Sequence, residues 1–264
     1  MDEVELIDEQ AIGRVLAPLG FEWQYSRSTE STNADVLRYH QRHPGQVVAL
    51  SETQSAGRGR RGRQWISPFA HNIYCTIGMS KSMPADSLGL LSIVTGIAIC
   101  RALQGIGFDA LALKWPNDLL SDGRKLGGIL IESRPLPDGA YFFAIGFGLN
   151  VFMTAQDLAS IPQPTTSLAL ISTAPVCRTR VLGAVLESVI QSVRAFEVAA
   201  VDDLIAEFAR FDAFHGKTIE VITANDNIRG INRGISATGH LQLETNAGVE
   251  LHSAAEISLR AVRE

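Results

Sequence analysis

The sequence is poor in cysteine and has no hydrophobic run long enough to cross a membrane. Its three cysteines among 264 residues are widely separated, and an odd number of isolated thiols argues against a disulfide framework. We therefore expect Cys75, Cys100 and Cys177 to be reduced and buried, as in a cytoplasmic protein. The most apolar stretch, residues 88–103, is shorter than a transmembrane helix and is interrupted by a glycine and an arginine, so it predicts a buried helix and no membrane partner.

The sequence also lacks a general excess of positive charge. It contains 23 lysines and arginines against 28 aspartates and glutamates, a formal net charge of −5. Proteins that bind nucleic acid usually carry a basic field over a whole domain, so we expect no nucleic-acid partner. The opening residues, MDEVELIDEQ, have neither the basic segment nor the apolar stretch of a secretion signal, which also predicts a cytoplasmic protein.

Helical and strand patterns alternate irregularly up to about residue 211. Helical patterns occupy residues 11–19, 88–103, 180–198 and 202–211, and Asn33 is predicted to cap a further helix through Tyr39. Strand patterns lie between these helices, at residues 21–26, 46–52, 72–79, 111–115, 125–133 and 141–151. After Gly216 four short alternating strands follow, with turns at residues 224–227, Gly239 and 246–248. This change of pattern predicts a small β-barrel of about fifty residues.

Positive charge is concentrated in residues 54–65, QSAGRGRRGRQW, where four arginines fall within six residues. Glycines let backbone amides approach an anion, and arginines donate forked hydrogen bonds to carboxylates and phosphates. The acidic background therefore favours a small anionic ligand for this loop. Composition alone leaves a solvated basic loop as an equal alternative.

Two phosphate-binding motifs are matched only in part. The arginine loop contains G-x-G-x-x-G, but Trp65 and Pro68 follow where a dinucleotide-binding fold would begin a helix. HGKT at residues 215–218 lacks the upstream glycine of a P-loop, because Phe211 occupies that position. We reject both interpretations.

Three further segments place polar or cationic residues beside strands. In KWPNDLL, Pro116 ends strand pairing and is predicted to direct Asn117 and Asp118 out of the sheet. RKLGGILIES sets Lys125 at the entrance of an apolar strand, and GFGLN ends another strand at Asn150. Glycines in both segments allow close approach to the backbone. Together with the arginine loop, these segments predict one shared ligand site.

The segments STN, GRGRRGRQW, KWPND, KLGGILIE and GFGLN, in this order and followed by EISLR, resemble those of the biotin–protein ligases. The resemblance runs from about residue 21 to residue 260. It implies an α+β protein with a mixed-sheet catalytic domain of the class II synthetase-like, biotin–lipoate ligase type. A small SH3-like β-barrel would follow, and we place the division at residues 1–213 and 214–264.

The resemblance implies a two-step ligase. Biotin and ATP, with Mg²⁺, would form biotinyl-5′-adenylate and pyrophosphate. The biotinyl group would then pass to one lysine of a biotin carboxyl carrier protein, such as that of acetyl-CoA carboxylase. Only about twenty residues precede the first predicted strand, too few for a helix-turn-helix domain, so we expect no repressor function. The oligomeric state is open, and a homodimer is one state compatible with the sequence.

The resemblance also implies roles for individual residues. Three are expected to be catalytic: Arg60, Lys125 and Asp118. Biotin would be bound by Ser31, Thr32, Asn33, Gln54, Gly57, Arg58, Gly59, Arg60, Lys125 and Gly128. The nucleotide would be bound by Arg58, Arg61, Trp65, Asn117, Lys125 and Asn150. No metal site made of protein ligands alone is expected, and Mg²⁺ would arrive with ATP, near Asp118.

The chemistry assigns these groups to two steps. Adenylation needs no enzyme nucleophile, because the biotin carboxylate itself attacks the α-phosphorus, and Arg60 and Lys125 are candidates to stabilise the charge. Asp118 is the candidate to accept a proton from the acceptor lysine, although carboxylates are also common as structural groups in turns.

Two alternatives remain. A lipoate ligase or octanoyl transferase would share the acyl-transfer chemistry, but the GRGRRG loop argues against it. A non-catalytic nucleic-acid-binding protein would need a basic barrel, yet from Gly216 onward there are five Lys/Arg against six Asp/Glu. His40 and His43, without further ligands, indicate no metal site.

Overall fold

The computed structural model describes residues 5–222, 227–253 and 258–261. Its larger part is built on a seven-stranded mixed sheet with strand order β1-β2-β3-β7-β6-β5-β4, in which only β1 and β2 run parallel. The strands are β1 Glu22–Ser26, β2 Val47–Ser51, β3 Ile73–Lys81, β4 Ala112–Lys114, β5 Asp118–Ser121, β6 Arg124–Pro135 and β7 Tyr141–Leu149. The helices are α1 Glu9–Leu16, α2 Thr32–Arg42, α3 Leu90–Gly105, α4 Ala155–Ala159, α5 Leu168–Ile171, α6 Arg178–Ala195 and α7 Val201–Phe211.

Strand β7 shows how the sheet separates its two faces. Alternate side chains point to opposite faces of a strand, and here Phe143, Ile145 and Phe147 join the main hydrophobic core. That core holds α3, of whose sixteen residues eleven are buried, together with the apolar side of α6. The intervening residues of β7 face the other way.

The second face of the sheet is only partly covered. Helix α2 packs there through a small cluster that contains Val36, Phe142 and Ala144. Farther along β7 the same face continues as Gly146 and Gly148, which carry no side chain. The helix therefore leaves an open, glycine-floored area of the sheet, and the candidate site lies on it.

The C-terminal part forms a five-stranded antiparallel sheet with order β11-β10-β9-β8-β12, which confirms the predicted small β-rich unit. Its strands are β8 Thr218–Ile222, β9 Asn227–Ile235, β10 Leu241–Thr245, β11 Gly248–His252 and β12 Ser258–Ala261. The predicted turn at Gly239 has a left-handed φ of 79°, as glycine allows. Trp115 donates from Nε1 to the Gly239 carbonyl at 3.0 Å, which joins this unit to the β4–β5 hairpin. Residues 224–226 of another predicted turn lie outside the described residues, and the division after residue 213 stays a prediction.

Three expectations about local structure are wrong. Helix α2 has Ser31 at its N-cap, and Asn33 lies inside the first turn because its amide bonds across to β6. Asp118 does not leave the sheet: after the turn at Pro116 it begins β5, which the sequence did not predict. Cys177 is half-buried, unlike Cys75 and Cys100, because it precedes α6 at the surface and its Sγ lies 3.8 Å from a carboxylate oxygen of Glu5.

In the part of the chain that the structure describes, no helix has the length and hydrophobicity needed to span a membrane.

Candidate functional site

A cavity of about 510 Å³ occupies the open face of the sheet. The arginine loop forms one wall and residues 161–165 form another, while β5, β6 and β7 supply the floor. Fourteen of the fifteen site residues predicted from the sequence line it: Ser31, Thr32, Asn33, Gln54, Arg58, Gly59, Arg60, Arg61, Trp65, Asn117, Asp118, Lys125, Gly128 and Asn150. Segments that are more than a hundred residues apart in the chain thus meet at one cavity.

Gly57 is the predicted residue that does not line the cavity. It is buried beneath the arginine loop, where its carbonyl accepts a hydrogen bond from the Trp65 amide at 2.9 Å. A Cβ atom on Gly57 would lie 2.7 Å from the Trp65 carbonyl oxygen, closer than real Cβ contacts allow. Glycine is therefore needed here for the folding of the loop, and Gly57 itself does not line the cavity.

The arginine loop folds back on itself. Arg58 and Gln64 form an isolated antiparallel bridge, and the Gly59 amide donates to the Arg63 carbonyl at 2.7 Å. Between them a short 3-10 turn contains Arg61 and Gly62 with left-handed φ values of 59° and 69°. Glycine adopts this conformation readily, so the tight reversal explains one of the glycines in the motif.

Arg60 is the arginine that turns inward. Its Nη1 donates to Asn117 Oδ1 at 3.3 Å, and the Asn117 amide nitrogen donates to the Ile129 carbonyl at 2.7 Å, which fixes the orientation of the amide. Burial lowers the pKa of the Arg60 guanidinium, and the nearby charges of Arg61 and Arg63 lower it further, while Asp118 raises it. A bound anion would offset both effects, since it would offer this partly buried cation an opposite charge.

Lys125 and Asp118 form a close ion pair on the cavity floor, with 2.6 Å between Nζ and Oδ1. Asp118 is the register partner of Gly128, so β5 carries its carboxylate beside the start of β6. The Lys125 ammonium also lies 5.5 Å from the centre of the Trp65 ring. The two side chains expose 17% and 19% of their surface, and both residues line the cavity.

Trp65 lies flat against a glycine floor. A Cβ on Gly148 would stand 2.5 Å from the indole ring, and one on Gly128 would stand 3.1 Å from it. These neighbours on β6 and β7 therefore leave the space that the indole occupies. The indole Nε1 is buried and has no hydrogen-bond partner among the described residues.

The opposite end of the cavity is uncharged and polar. It is formed by Ser31 and Thr32 at the start of α2 and by Gln54 at the start of the arginine loop. The Thr32 amide donates to Gln54 Oε1 at 3.0 Å, so the Gln54 amide group is oriented with its nitrogen on the other side. This end suits a neutral ligand group with both hydrogen-bond donors and acceptors.

Sequence reasoning named no residue in the wall at 161–165, and the structure supplies them. Ile161, Gln163 and Thr165 line the cavity. The wall is fixed to β6, because the Lys125 amide donates to the Pro164 carbonyl at 2.9 Å and the Thr166 amide donates back to the Lys125 carbonyl at 2.9 Å. No motif marks these residues, because the backbone makes the attachment.

Asn150 holds the same wall from β7. Its Nδ2 donates to the Thr166 carbonyl at 3.1 Å, and its own carbonyl accepts from the Leu168 amide at 3.0 Å. Lys114 also lines the cavity although only its neighbours in KWPND were assigned roles. Its position in that motif was a signal that could have identified it.

A buried ion pair supports the site from behind. Arg178 at the start of α6 contacts Glu52 at 2.7 Å, and both side chains are almost fully buried. Glu52 also accepts from the Ile7 amide and from the Tyr25 hydroxyl, each at 2.9 Å. Glu52 lies two residues before Gln54, at which the arginine loop begins. This cluster therefore anchors the base of the loop.

Comparison with known proteins agrees with this geometry. The model of the biotin/lipoate A/B protein ligase family matches residues 23–150, and the model of the biotin protein ligase C-terminal domain matches residues 214–260. These matches place the chain among the biotin/lipoate A/B protein ligases. More particularly, it belongs to the biotin protein ligase family.

Three relatives illustrate the similarity. The bifunctional ligase/repressor BirA of Salmonella typhimurium is 33% identical over 215 residues, which cover 81% of this chain and 67% of that protein. The biotin–[acetyl-CoA-carboxylase] ligase of Mycobacterium tuberculosis is 29% identical over 262 residues, or 95% of each chain. A biotin protein ligase from Aquifex aeolicus, solved in complex with biotin and ATP, has a TM-score of 0.74 at 23% identity, covering 91% of this chain and 99% of that one. The chain spans about two thirds of the length of the bifunctional relatives.

Proposed function

We propose that this protein is an ATP-dependent biotin ligase that acts in two steps. In the first, a carboxylate oxygen of biotin attacks the α-phosphorus of ATP, and the bond from that phosphorus to the leaving pyrophosphate breaks, giving biotinyl-5′-adenylate. In the second, the amine of a carrier-protein lysine attacks the biotinyl carbonyl, and AMP leaves. The observation that carries the proposal is a single cavity with a neutral polar end and a cationic end, in a chain of this family.

The distribution of groups along the cavity supports this orientation of the ligands. The end formed by Ser31, Thr32 and Gln54 matches the uncharged ureido ring of biotin, which both donates and accepts hydrogen bonds. The end with Arg60 and Lys125 matches the carboxylate and the α-phosphate, which are both anionic. Trp65, packed over the glycine floor, would wall the adenine.

Arg60 and Lys125 would lower the barrier of the first step by electrostatic stabilisation. Negative charge builds on the phosphoryl oxygens as the carboxylate approaches, and cations already held in position stabilise it without reorganisation. Asn117 fixes Arg60, and Asp118 fixes Lys125. Closure of the arginine loop over the ligands would exclude water, which otherwise hydrolyses the mixed anhydride.

Asp118 would act in the second step. While Lys125 pairs with Asp118, that carboxylate is neutralised; when the biotin carboxylate and the phosphate attract Lys125, Asp118 is released. The released carboxylate can then accept the proton that the acceptor ammonium must lose before its nitrogen attacks. This exchange of partners would make the base available only after the adenylate is bound.

Mg²⁺ would be held mainly by the nucleotide. Of the described residues that line the cavity, Asp118 is the single acid, and within the described chain no cluster of three or more histidine, cysteine or acidic side chains could hold a metal ion. Mg²⁺ commonly binds through one carboxylate together with substrate phosphates. The residues present fit that arrangement, in which the ion neutralises phosphate charge and Asp118 supplies at most one ligand.

The proposed partner is a biotin carboxyl carrier domain, such as that of acetyl-CoA carboxylase. The proposed location of the protein is the cytoplasm. Names of relatives such as the Mycobacterium tuberculosis protein support the choice of carrier. A homodimer is compatible with this function but is not required by it, because the described cavity is built from one chain.

The test is to incubate the purified protein with biotin, MgATP and a purified carrier domain, and to measure the masses of both proteins. The carrier should gain the mass of one biotinyl group, and a carrier whose target lysine is replaced by arginine should gain nothing. Pyrophosphate exchange is measured in parallel with biotin and with lipoate. Exchange with lipoate but not with biotin would contradict the proposal.

A further inference from the structure

The cavity wall at residues 161–165 is held at both of its ends. Its C-terminal end is attached to β6 by the two backbone hydrogen bonds of Lys125, which forms an isolated parallel bridge with Thr165. Its N-terminal end continues directly from α4, because the Ile161 amide donates to the Leu158 carbonyl at 3.1 Å. The position of α4 therefore sets where the wall begins.

Helix α4 is not held in place by burial. It has five residues and none of them is buried, so apolar packing contributes little to its attachment. Its first turn is closed by a capping box, in which the Thr154 amide and hydroxyl donate to Asp157 Oδ2 at 2.9 and 2.8 Å. The Asp157 amide donates back to Thr154 Oγ1 at 3.1 Å. A capping box stabilises the start of a helix but does not attach that helix to the rest of the protein.

The attachment is made by His71, whose Nδ1 lies 3.1 Å from the same Asp157 Oδ2. Burial raises the pKa of Asp157, but the hydrogen bonds from Thr154 and His71 and the charge of His71 outweigh burial and hold that pKa below its usual value. The carboxylate is therefore ionised at neutral pH and can only accept hydrogen bonds. His71 must then donate to it from Nδ1.

His71 lies in a firmly held part of the chain, between the arginine loop and β3. Its carbonyl accepts from the Phe152 amide at 2.8 Å. The adjacent Asn72 is fully buried, and its Oδ1 accepts from the Val151 amide at 2.8 Å. The Asn72 carbonyl also accepts from Arg178 at 2.9 Å. The backbone around His71 is thus fixed to the protein interior, and its side chain can serve as an anchor for α4.

We propose that His71 and Asp157 are positioning residues whose hydrogen bond fastens α4 to the start of β3 and so holds residues 161–165 as the closed wall of the cationic end of the cavity. The wall stands beside Lys125, where the phosphate of ATP is expected. Without the hydrogen bond, α4 and the wall can separate from β3, and ATP has to bind to an open cavity. This inference rests on the proposed function, because it takes ATP as the ligand of that end.

The first experiment measures amide hydrogen exchange in the ligand-free protein and compares His71→Leu with His71→Asn. Leucine fills a similar space without a donor, whereas the asparagine NH₂ group can replace the imidazole Nδ1–H. The amides of residues 158, 160 and 161 are all hydrogen-bonded within α4 or just after it. In the leucine variant they should exchange about fivefold faster, the scale of one partly exposed hydrogen bond, while α3 stays unchanged.

The asparagine variant should exchange like the wild type. Unchanged exchange at these three amides in the leucine variant would overturn the inference. An equal acceleration in α3 would also overturn it, because the variant would then destabilise the whole fold and not the wall.

The second experiment measures the kinetics of pyrophosphate exchange in the same variants. For His71→Leu the KM for ATP should rise between about twofold and about fivefold, because the fraction of molecules with a closed wall falls by at most that factor. The KM for biotin and kcat should change by less than about twofold, since the ring of biotin is expected at the opposite end of the cavity. His71→Asn should restore the wild-type KM for ATP.

An unchanged KM for ATP in the leucine variant, with faster hydrogen exchange of the wall, would overturn the positioning role. Equal rises in the KM for ATP and for biotin would overturn it too. If the wild-type protein shows no biotin-dependent pyrophosphate exchange, the proposed function fails, whereas the hydrogen-exchange result still reports on the attachment of α4. The two failures are therefore distinguishable.

A double variant tests whether the two residues act as a pair. Asp157→Ala removes both the acceptor for His71 and the capping box, so its effect on the wall should be at least as large as that of His71→Leu. Adding His71→Leu to Asp157→Ala should then change the KM for ATP by less than about twofold, because the shared hydrogen bond is already lost. Full addition of the two single effects would show that the residues act separately and would overturn the inference.

Discussion

Replacement of Asp118 by asparagine separates the two proposed half-reactions. Asparagine has the same shape and keeps an oxygen that can accept from Lys125, which lies 2.6 Å from Asp118 Oδ1. It lacks the negative charge and cannot take up a proton. Lys125 would therefore stay near its position, whereas the group proposed to accept the proton of the carrier lysine would be lost.

The structure indicates that Asp118→Asn should slow transfer more than it slows adenylation. Two unit charges about 4 Å apart at an effective dielectric constant of about 20 attract by about 4 kcal/mol. Desolvation of two side chains that are mostly shielded from solvent offsets much of this. Loss of the charge should therefore slow adenylation by no more than about tenfold, equivalent to about 1.4 kcal/mol. Loss of a general base typically costs about 10²- to 10⁴-fold, and that cost should fall on transfer alone.

The assay measures both steps on the same preparation. Biotin-dependent pyrophosphate exchange reports adenylation, and transfer from pre-formed biotinyl-5′-adenylate to the carrier domain reports the second step. Asp122→Asn is the matched control, because Asp122 lies on the same β5–β6 hairpin with 69% of its side chain exposed and should leave both rates unchanged. Equal losses of the two steps in Asp118→Asn would refute the assignment of Asp118 to proton transfer.

Three further predictions follow from the same geometry. Lys125→Ala should abolish adenylate formation, and normal synthesis of adenylate by this variant, followed by mass spectrometry, would contradict the role of the lysine. Gly148→Ala should raise the KM for ATP severalfold, because the new Cβ would stand 2.5 Å from the Trp65 ring and push the indole into the cavity; Gly45→Ala, where nothing lies within 4 Å, is the control. Arg178→Ala leaves a buried carboxylate without its partner, which should destabilise the fold by about 3–5 kcal/mol. That loss should lower Tm by about 10 °C in thermal unfolding, and an unchanged Tm would show that the pair is dispensable.

Much of the fold and the site follows from local sequence alone. Strand and helix positions follow from short-range periodicity, as in β3, β7 and α3, because a buried strand or helix needs apolar residues at regular spacing. The candidate site residues were named from the resemblance of five short segments to those of a known family, and fourteen of the fifteen line one cavity. Their contacts with a ligand stay a prediction.

What the sequence could not specify depends on contacts between distant strands. The pairing of Lys125 with Asp118 depends on the register of β5 against β6. The sequence did not predict β5, because the proline turn before this short strand indicated that the chain leaves the sheet. Asn33 bonds to residues 97 and 99 positions away in the chain, so a pattern that favours a helix cap was misleading. Gly57 belongs to the interior of its loop for a similar reason: only the folded loop shows which backbone atoms crowd a Cβ there.

The sequence by itself determined which chemical groups line the cavity: arginines, a lysine, amides and glycines in recognisable segments. Only the tertiary structure decided which atoms of those groups face the cavity and which bond to neighbouring residues. Thr76 of β3 donates to Thr32 and Asn33 of α2, and Asn33 donates to Glu132 of β6, so one group of hydrogen-bonded side chains is built from three elements. Residue types are encoded locally, but these side chains come within hydrogen-bonding distance only when the sheet and helix α2 are assembled.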